Sequence, residues 1–168
     1  MTRFLSCLAS VAATLGVSVS ASGATPPGAC PSTDRRAAVS ARPGATRALV
    51  PPGARTILVC RYSGLGTPGG AFRLTVHQLV SDQATVVRLS RQLDALTPTT
   101  GVYHCPSDSG ADVVARFVYP TGPQDPVTVD LTGCNGVTNG HVHREAGTSV
   151  AGRSLVGAFV RLTAHVAG

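Results

Sequence analysis

Lysine and tryptophan are absent from the chain, and glutamate occurs once, at Glu145. The absence of lysine excludes Ser-Lys dyads and lysine Schiff-base chemistry. Paired carboxylates of the glycosidase type are poorly supplied, because the chain has only 8 acidic residues and most of them fall in predicted loops. These shortages favour a protein that is not an enzyme.

Common nucleotide-binding and hydrolase motifs are also missing. No G-x-S-x-G nucleophile elbow occurs, although serines, aspartates and 5 histidines leave a Ser-His-Asp arrangement open by count alone. The glycine-rich stretch at residues 64–70 is not followed by Lys-Ser or Lys-Thr, so we interpret it as a connection and not a phosphate loop. The arginines are scattered and aromatic residues make up only 4% of the chain, which argues against nucleic-acid binding.

No hydrophobic run is long enough to span a membrane. The apolar stretch at residues 4–19 follows Arg3 and is typical of the apolar core of an export signal. Small residues then allow cleavage after Ala21 or after Ala24, so residues 1–24 are predicted to be a signal peptide. The alternative is an N-terminal membrane anchor or a buried helix. The signal predicts a secreted, extracellular protein with no stable membrane span once the signal is removed.

Five cysteines are present, and one of them, Cys7, would leave with the signal. The other four form two pairs of nearly equal spacing, since Cys30 and Cys60 are 30 residues apart and Cys105 and Cys134 are 29 apart. In an oxidising compartment this spacing predicts the disulfides Cys30–Cys60 and Cys105–Cys134, each stabilising the fold by roughly 3–4 kcal/mol. The alternatives are free buried thiols or a zinc site, which the lack of any C-x-x-C spacing disfavours.

The two cysteine pairs also suggest an internal duplication. Cys30 and Cys105 each begin a Cys-Pro-Ser tripeptide. We therefore expect two pseudo-repeats, at about residues 30–97 and 105–166, within a single compact secreted domain at residues 25–168. Coincidence is the alternative, because outside the tripeptides and the spacings the two halves share pattern and not identity.

The first half is predicted to contain three strands. They lie at residues 46–50, 56–62 and 72–80, where β-branched and apolar residues recur and the third segment alternates cleanly. Pro51-Pro52-Gly53 forms a turn between the first two strands, because proline restricts φ and glycine tolerates the return of the chain.

A helix is predicted directly after the third strand. Ser81 or Asp82 is suited to cap its start, and it is expected to end before Pro98. Apolar residues at spacings of three, four and three place one stripe on the helix surface: Val86, Leu89, Leu93 and Leu96.

The second half has a similar order of signals. Alternating apolar residues predict strands at residues 113–119 and 127–131, and residues 141–145 are predicted as the return strand of a hairpin. A loop with three prolines lies at residues 120–126, and Asn139-Gly140 predicts a hairpin turn with positive φ at both central positions. Residues 149–166 show helical and alternating apolar patterns at once, so helix and strand both stay open, although the first half favours helix.

Together these elements predict an α+β fold, an antiparallel sheet with two helices packed on it and two disulfides. In this interpretation the fold is built from two similar strand-strand-strand-helix units. The disulfides would explain how such a protein survives outside the cell, but they indicate no particular activity.

His141 and His143 are the residues that most suggest chemistry. Residues two apart on a strand point to the same face, so both imidazoles could bind one metal ion, with His104 or Glu145 completing the shell. A metal-dependent hydrolase would follow from such a site. The pattern favours the alternative, a polar outer face of a hairpin strand. We therefore expect no catalytic residue, no bound metal and no cofactor.

Two other polar residues have structural interpretations. Asp108 follows the second Cys-Pro-Ser tripeptide and is expected to cap local backbone N–H groups, although it could share a turn with Asp112. Tyr62 is expected to continue the strand through Cys60 and to pack at the edge of the sheet. A role for Tyr62 in stacking on a ligand is the alternative.

Beyond the signal, several short motifs carry a resemblance to known proteins: Pro51-Pro52-Gly53, Cys60-Arg61-Tyr62, Tyr103-His104-Cys105-Pro106, and Gly133-Cys134 with Asn139-Gly140. In these motifs the chain resembles small exported proteins of actinobacteria that have no assigned function. The exclusive use of arginine as the basic residue, with abundant alanine and glycine, agrees with a bacterial source of high GC content. The resemblance implies no activity and assigns no functional residue.

The function expected from these observations is surface interaction by a secreted, disulfide-stabilised, non-catalytic protein. Its partner would be a protein or a component of the cell envelope, and the net charge of +6 allows attraction to anionic polymers or lipid headgroups. One alternative is a secreted inhibitor of an extracellular protease, with the loop at residues 120–126 as its contact. The other alternative is the metal-dependent hydrolase that would use His141 and His143.

Overall fold

The computed structural model describes residues 29–34, 39–68, 70–98, 100, 104–105 and 107–164. The predicted export signal, residues 1–24, lies outside these ranges. The elements follow in chain order as β1 (Thr56–Tyr62), β2 (Leu74–Val80), α1 (Gln83–Asp94), β3 (Asp112–Val118), β4 (Asp125–Asp130), β5 (Gly136–Thr138), β6 (His143–Glu145) and α2 (Val150–Leu162).

The strands form one antiparallel sheet in the order β2-β1-β3-β4-β5-β6. With the two helices, this confirms the predicted α+β class. Both predicted disulfides are present, Cys30–Cys60 with its Cα atoms 5.7 Å apart and Cys105–Cys134 with its Cα atoms 4.9 Å apart. None of the helices in the described ranges is long and apolar enough to cross a membrane.

The main hydrophobic core lies between one face of the sheet and the two helices. Alternate residues of each long strand point to this face, because successive side chains of a strand point to opposite sides. A fully buried aliphatic or aromatic side chain contributes roughly 1.5–3 kcal/mol, so this layer supplies most of the stability. Its members with almost no exposed surface include Ile57, Val59, Val86, Leu89, Leu93, Val113, Ala115, Phe117, Val127, Val129, Leu155 and Phe159.

A smaller buried cluster lies on the opposite face of the sheet, which we call the back face. It consists of Leu58, Cys60, Tyr62 and Val114, with Cys30 and Leu74 packed against it. The Cys30–Cys60 disulfide attaches the segment before β1 to this face. Tyr62 is 1% exposed, and its hydroxyl donates to the Pro31 carbonyl at 3.1 Å. The prediction that Tyr62 packs at the sheet edge is therefore wrong, because β1 lies between β2 and β3.

Both helices begin at side-chain caps. The Asp82 carboxylate accepts from the Thr85 N–H at 2.9 Å at the start of α1, which confirms one of the two predicted caps. At the start of α2 the Ser149 hydroxyl accepts from the Gly152 N–H at 2.9 Å. The segment that the sequence left open between helix and strand is therefore helix, with Leu155, Val156 and Phe159 buried.

The strand predicted at residues 46–50 is wrong. These residues form turns and bends, although Leu49 and Val50 are 1% and 2% exposed and belong to the main core. Part of their backbone is paired locally, since the N–H groups of Arg47 and Ala48 donate to the Gly44 carbonyl. The rest is paired at long range, since the Asn139 amide donates to the carbonyls of Ala48 and Leu49 at 2.9 and 3.3 Å. An amide some 90 residues away, and not a neighbouring strand, thus stabilises this segment.

The hairpin at Asn139-Gly140 is also built differently from the prediction. Gly140 has φ +87°, whereas Asn139 is not among the residues with positive φ in the described ranges. The Asn139 side-chain oxygen accepts from the backbone N–H groups of His141 and Val142 at 3.0 and 2.9 Å. Asn139 is fully buried, so it supports the turn through its side chain while its amide supports residues 45–49.

Candidate functional site

The loop between β3 and β4 is exposed but fixed in position. Residues 120–123 are exposed to solvent, and we call residues 120–124 the proline loop. The Arg42 guanidinium donates to the Thr121 carbonyl at 2.5 Å and, at 3.4 Å, to the Pro123 carbonyl. Gly122 has φ +80°, and a Cβ placed there would lie 2.9 Å from Arg42 Nη1. Arg42 therefore fits closely against the inner side of this loop.

Arg42 also stacks on the aromatic ring that precedes the loop. Its Cζ atom lies 3.6 Å from the centroid of the Tyr119 ring, a cation–π contact. The Tyr119 hydroxyl donates to the Pro51 carbonyl at 2.7 Å. Burial raises the pKa of the Tyr119 hydroxyl well above its usual value, so this residue stays a neutral donor at all physiological pH values. The base of the proline loop is thus connected to two segments distant in sequence.

Asp125 lies directly after the loop, at the start of β4, and is completely buried. Burial raises the pKa of its carboxyl group to about 6, and the nearby Asp94 adds to the rise. Ser40, Arg42 and His141 oppose this rise, since each favours the charged form of Asp125. A titratable group that is half protonated near pH 6 therefore lies beneath the proline loop.

Ser40, Asp125 and His141 contain the residue types of a hydrolase triad but not its geometry. His141 Nε2 lies 2.9 Å from the backbone carbonyl oxygen of Ser40, to which it can only donate. A general base must accept the proton of the nucleophile, so this nitrogen cannot activate the Ser40 hydroxyl in this arrangement. The hydroxyl instead accepts from the Arg42 N–H at 3.2 Å. These contacts hold the chain segment at residues 40–42 in place.

The two histidines considered as metal ligands have separate partners. His143 belongs to β6, and its Nε2 lies 3.3 Å from the Thr138 hydroxyl. His141 lies in the turn before β6, so the same-face argument for a strand does not apply to it. The structure therefore does not bring these two imidazoles onto one strand face.

Acidic side chains from several strands lie in one row on the back face. Asp112 of β3 is paired with Asp130 of β4, and Glu145 of β6 is paired with Gly136 of β5. The Asp130 carboxylate covers Gly136, where a Cβ would lie 2.8 Å from its Oδ2. We call Asp112, Asp130 and Glu145 the carboxylate row. At its β1 end, burial raises the pKa of the Tyr62 hydroxyl to about 12, with Asp34 as the next cause.

The carboxylate row ends at the second disulfide. A carboxylate oxygen of Glu145 and the sulfur atoms of Cys105 and Cys134 all lie within 4.8 Å of one another. Asp108 lies nearby and accepts from the Gly110 N–H and the Thr132 hydroxyl, both at 2.7 Å. The prediction that Asp108 caps local backbone N–H groups is therefore confirmed.

One cleft borders α1 on the side of the predicted turn. It has a volume of about 250 Å³ and lies between Pro51-Pro52-Gly53 and the α1 residues Val87, Ser90, Arg91 and Asp94. The Ser90 hydroxyl donates to the Val86 carbonyl at 2.8 Å, and Asp94 accepts from the Val50 N–H at 3.0 Å. Both polar side chains are thus engaged in holding the fold, and neither faces a base in the cleft.

The sequence missed the two arrangements that the fold assembles. Arg42 was one of many scattered arginines, and only the position of residues 40–42 beside Tyr119 shows its role. The alternation in β3 and β4 indicated which residues share a face, but the pairing of Asp112 with Asp130 depends on strand register. Comparison of the chain with protein-family models, curated proteins and solved structures finds no significant match in any of the three.

Proposed function

We propose that this chain is an exported, non-catalytic, disulfide-stabilised protein that binds a protein partner at or outside the cell envelope through the proline loop. The observation that supports it is the contrast between exposure and fixation at residues 120–123. These residues are open to solvent while Arg42 holds two of their carbonyl groups. A loop that is already ordered loses little conformational freedom on binding, so more of its contact energy appears as affinity.

The electrostatics and disulfides support the same proposal. Two disulfides suit an oxidising compartment, and the net charge of +6 for the full chain, which becomes +5 when Arg3 leaves with the predicted signal, attracts acidic partners. The resemblance to small exported actinobacterial proteins agrees with this location.

The proposal can be tested with a matched pair of glycine variants. Gly122→Ala introduces a Cβ at φ +80° that meets Arg42. Gly66→Ala introduces one at φ +74° with no other atom within 4 Å, so it shares the backbone strain but not the contact. Gly66 lies after β1 and Gly122 after β3, so the antiparallel pairing places them at opposite ends of the sheet. We expect binding of purified protein to isolated envelopes and exported proteins of the source organism to weaken at least about tenfold in Gly122→Ala. Gly66→Ala should bind like the natural protein, and equal binding by all three proteins would reject the proline loop as the contact.

A second candidate function is inhibition of an extracellular protease by the same loop. An exposed loop held by side-chain bonds from the scaffold is the kind of structure that can occupy a protease cleft without large ordering costs. Incubation with a broad panel of secreted proteases tests this function. We expect inhibition that Arg42→Ala weakens and that Arg47→Ala, an exposed arginine of the same segment, leaves intact. Unchanged hydrolysis rates across the panel would remove this candidate and leave the more general binding function standing.

A further inference from the structure

The only glutamate of the chain lies against a disulfide. Glu145 is 7% exposed, and its carboxylate is within 4.8 Å of the sulfur atoms of both Cys105 and Cys134. No hydrogen bond to the Glu145 carboxylate is found within the described part of the chain. Ligand atoms this close together can bind one metal ion when the two sulfur atoms are present as thiolates.

The residues that carry Cys134 and Glu145 are held together without the disulfide. The Ala146 N–H donates to the Asn135 carbonyl at 3.0 Å, and the Gly147 N–H donates to the Cys134 carbonyl at 3.3 Å. These backbone bonds fasten the turn at Cys134 to the end of β6. The distance between the Cys134 sulfur and the Glu145 carboxylate is therefore set by the fold.

Cys105 is also kept close by bonds other than the disulfide. Asp108 accepts from the Thr132 hydroxyl at 2.7 Å, and the Ser109 N–H donates to the same hydroxyl at 3.1 Å. These contacts tie the chain three to four residues after Cys105 to a residue two before Cys134. If the disulfide opens, both thiols remain beside Glu145.

We propose that reduction of the Cys105–Cys134 disulfide creates a binding site for a divalent cation of the zinc class, with the two thiolates and the Glu145 carboxylate as ligands. A dithiol reductant supplies two electrons and two protons to the disulfide and is itself oxidised to a disulfide. The cation then displaces the two thiol protons into solvent as it binds. A water molecule completes the shell, as in zinc sites with three protein ligands.

The ligand set selects the class of cation. Thiolate ligands favour zinc and other soft or borderline ions over magnesium and calcium, which prefer oxygen ligands alone. The carboxylate adds a harder ligand that suits zinc and cobalt more than copper(I). The site thus has two states: a disulfide under oxidising conditions, which joins the segments of Cys105 and Cys134, and a metal centre under reducing conditions, which also joins the segment of Glu145.

Cobalt(II) is the probe for this site, because its thiolate complexes absorb light. Protein is reduced under mild conditions with dithiothreitol, which is removed without oxygen before titration. Cys105 is exposed while Cys60 is fully buried, so the Cys105–Cys134 bond should open first. Peptide mass mapping must show that Cys30–Cys60 is intact. We expect a thiolate-to-cobalt charge-transfer band that saturates at one equivalent, disappears on adding zinc, and is absent from the oxidised protein.

Two variants of the reduced protein distinguish a carboxylate that coordinates the cation from one that only adds negative charge to the same face. Loss of an outer-shell partner already weakens metal affinity by about 10–100-fold, so Glu145→Gln should raise the zinc Kd at least about tenfold. Asp130→Asn removes the same charge from the same face and should change the Kd by less than about threefold. Circular dichroism checks that both variants fold. A zinc-dependent rise in the Tm of the reduced natural protein gives a readout that requires no variant.

Several results would overturn the proposal. They are the absence of the charge-transfer band in the reduced protein, an unchanged Kd in folded Glu145→Gln, equal binding by the oxidised protein, and no zinc-dependent change in Tm. Mapping of the bound cation to Cys30 and Cys60 would overturn it as well.

Discussion

At the scale of single residues, Asp125 combines complete burial with an ionisable group. Its pKa of about 6 lies above the ordinary value of 3.8, because burial penalises the charged form more than its neighbours favour it. In the unfolded chain the same carboxyl loses its proton near the ordinary value. Between these two pH values the folded state therefore binds more protons than the unfolded state.

This difference predicts how stability depends on pH. The contribution of Asp125 is greatest below about pH 4 and is lost as pH rises through about 6, since a raised folded pKa favours folding only while the group stays protonated. The loss has an upper bound of about 3 kcal/mol, from a shift of about two pKa units. We expect Asp125→Asn to flatten the slope of the free energy of unfolding between pH 4 and 7, measured by urea titration.

The control for this measurement is Asp82→Asn. The Asp82 carboxyl has a lowered pKa, chiefly because Thr85 donates hydrogen bonds to it, so its effect on the pH dependence of stability is opposite in sign to that of Asp125. Asparagine also keeps a side-chain oxygen for the helix cap. A slope between pH 4 and 7 that is the same in Asp125→Asn as in the natural protein would contradict the assignment to Asp125.

At the scale of elements, α2 contains two glycines in very different surroundings. A Cβ at Gly152 would collide with the backbone carbonyl oxygen of Ala146, whereas a Cβ at Gly157 would lie 3.3 Å from the flexible end of the Arg161 side chain. The first turn of α2 thus packs backbone to backbone against the residues that follow β6. Glycine is required there for close approach and not for backbone freedom.

The two glycines therefore predict opposite effects of alanine. Gly157→Ala should stabilise the protein by up to about 1 kcal/mol, the usual gain in helix propensity. Gly152→Ala should destabilise it by about 1–3 kcal/mol, because overpacking must move the helix or the Ala146 segment. Thermal and urea unfolding of both variants measure these effects, and a stabilised Gly152→Ala would show that α2 is free to shift.

The elements also show which parts of the fold the sequence could predict. Three predictions that rest on local patterns are confirmed: the alternation of side chains in β2, the apolar stripe of α1 and the cap at Asp82. Residues 46–50 were mistaken for a strand because Leu49 and Val50 are apolar and buried, and the partner of this backbone is Asn139. A side chain that is distant in sequence leaves no periodic signal.

The functional interpretation was limited for the same reason. The pairing of the four cysteines could be predicted, since their equal spacing is visible along the chain. The contact of Glu145 with Cys105–Cys134 could not, because it depends on the register of β5 and β6 and on the turn at Cys134. Likewise, His141 and His143 are two residues apart, but the short strand β6 includes only the second.

At the scale of the whole molecule, each disulfide closes a loop of about 30 residues, and the chain-entropy estimate for such a loop is about 3–4 kcal/mol. We expect the double variant Cys105→Ser with Cys134→Ser to lose about this amount in urea unfolding, while the backbone bonds around Thr132 and Asn135 preserve the fold. Removal of Cys30 and Cys60 should cost more, because Cys60 is fully buried and a serine hydroxyl there lies in the apolar back-face cluster.

Two results would contradict these expectations. Equal losses of unfolding free energy in the two double variants would mean that the burial of Cys60 adds nothing beyond loop closure. A Cys105→Ser/Cys134→Ser variant that does not fold would show that the bonds around Thr132 cannot hold these segments without the disulfide. The latter result would also weaken the argument that both thiols stay beside Glu145 after reduction.

The two disulfides follow one another along the chain and do not interlock. In a polypeptide that crosses a membrane amino end first, Cys30 and Cys60 can join while Cys105 is still on the other side. Four cysteines allow three pairings, but this order of arrival presents each cysteine with a single partner at a time. In a chain exported in this way, the direction of translocation would set the order in which the two disulfides can form.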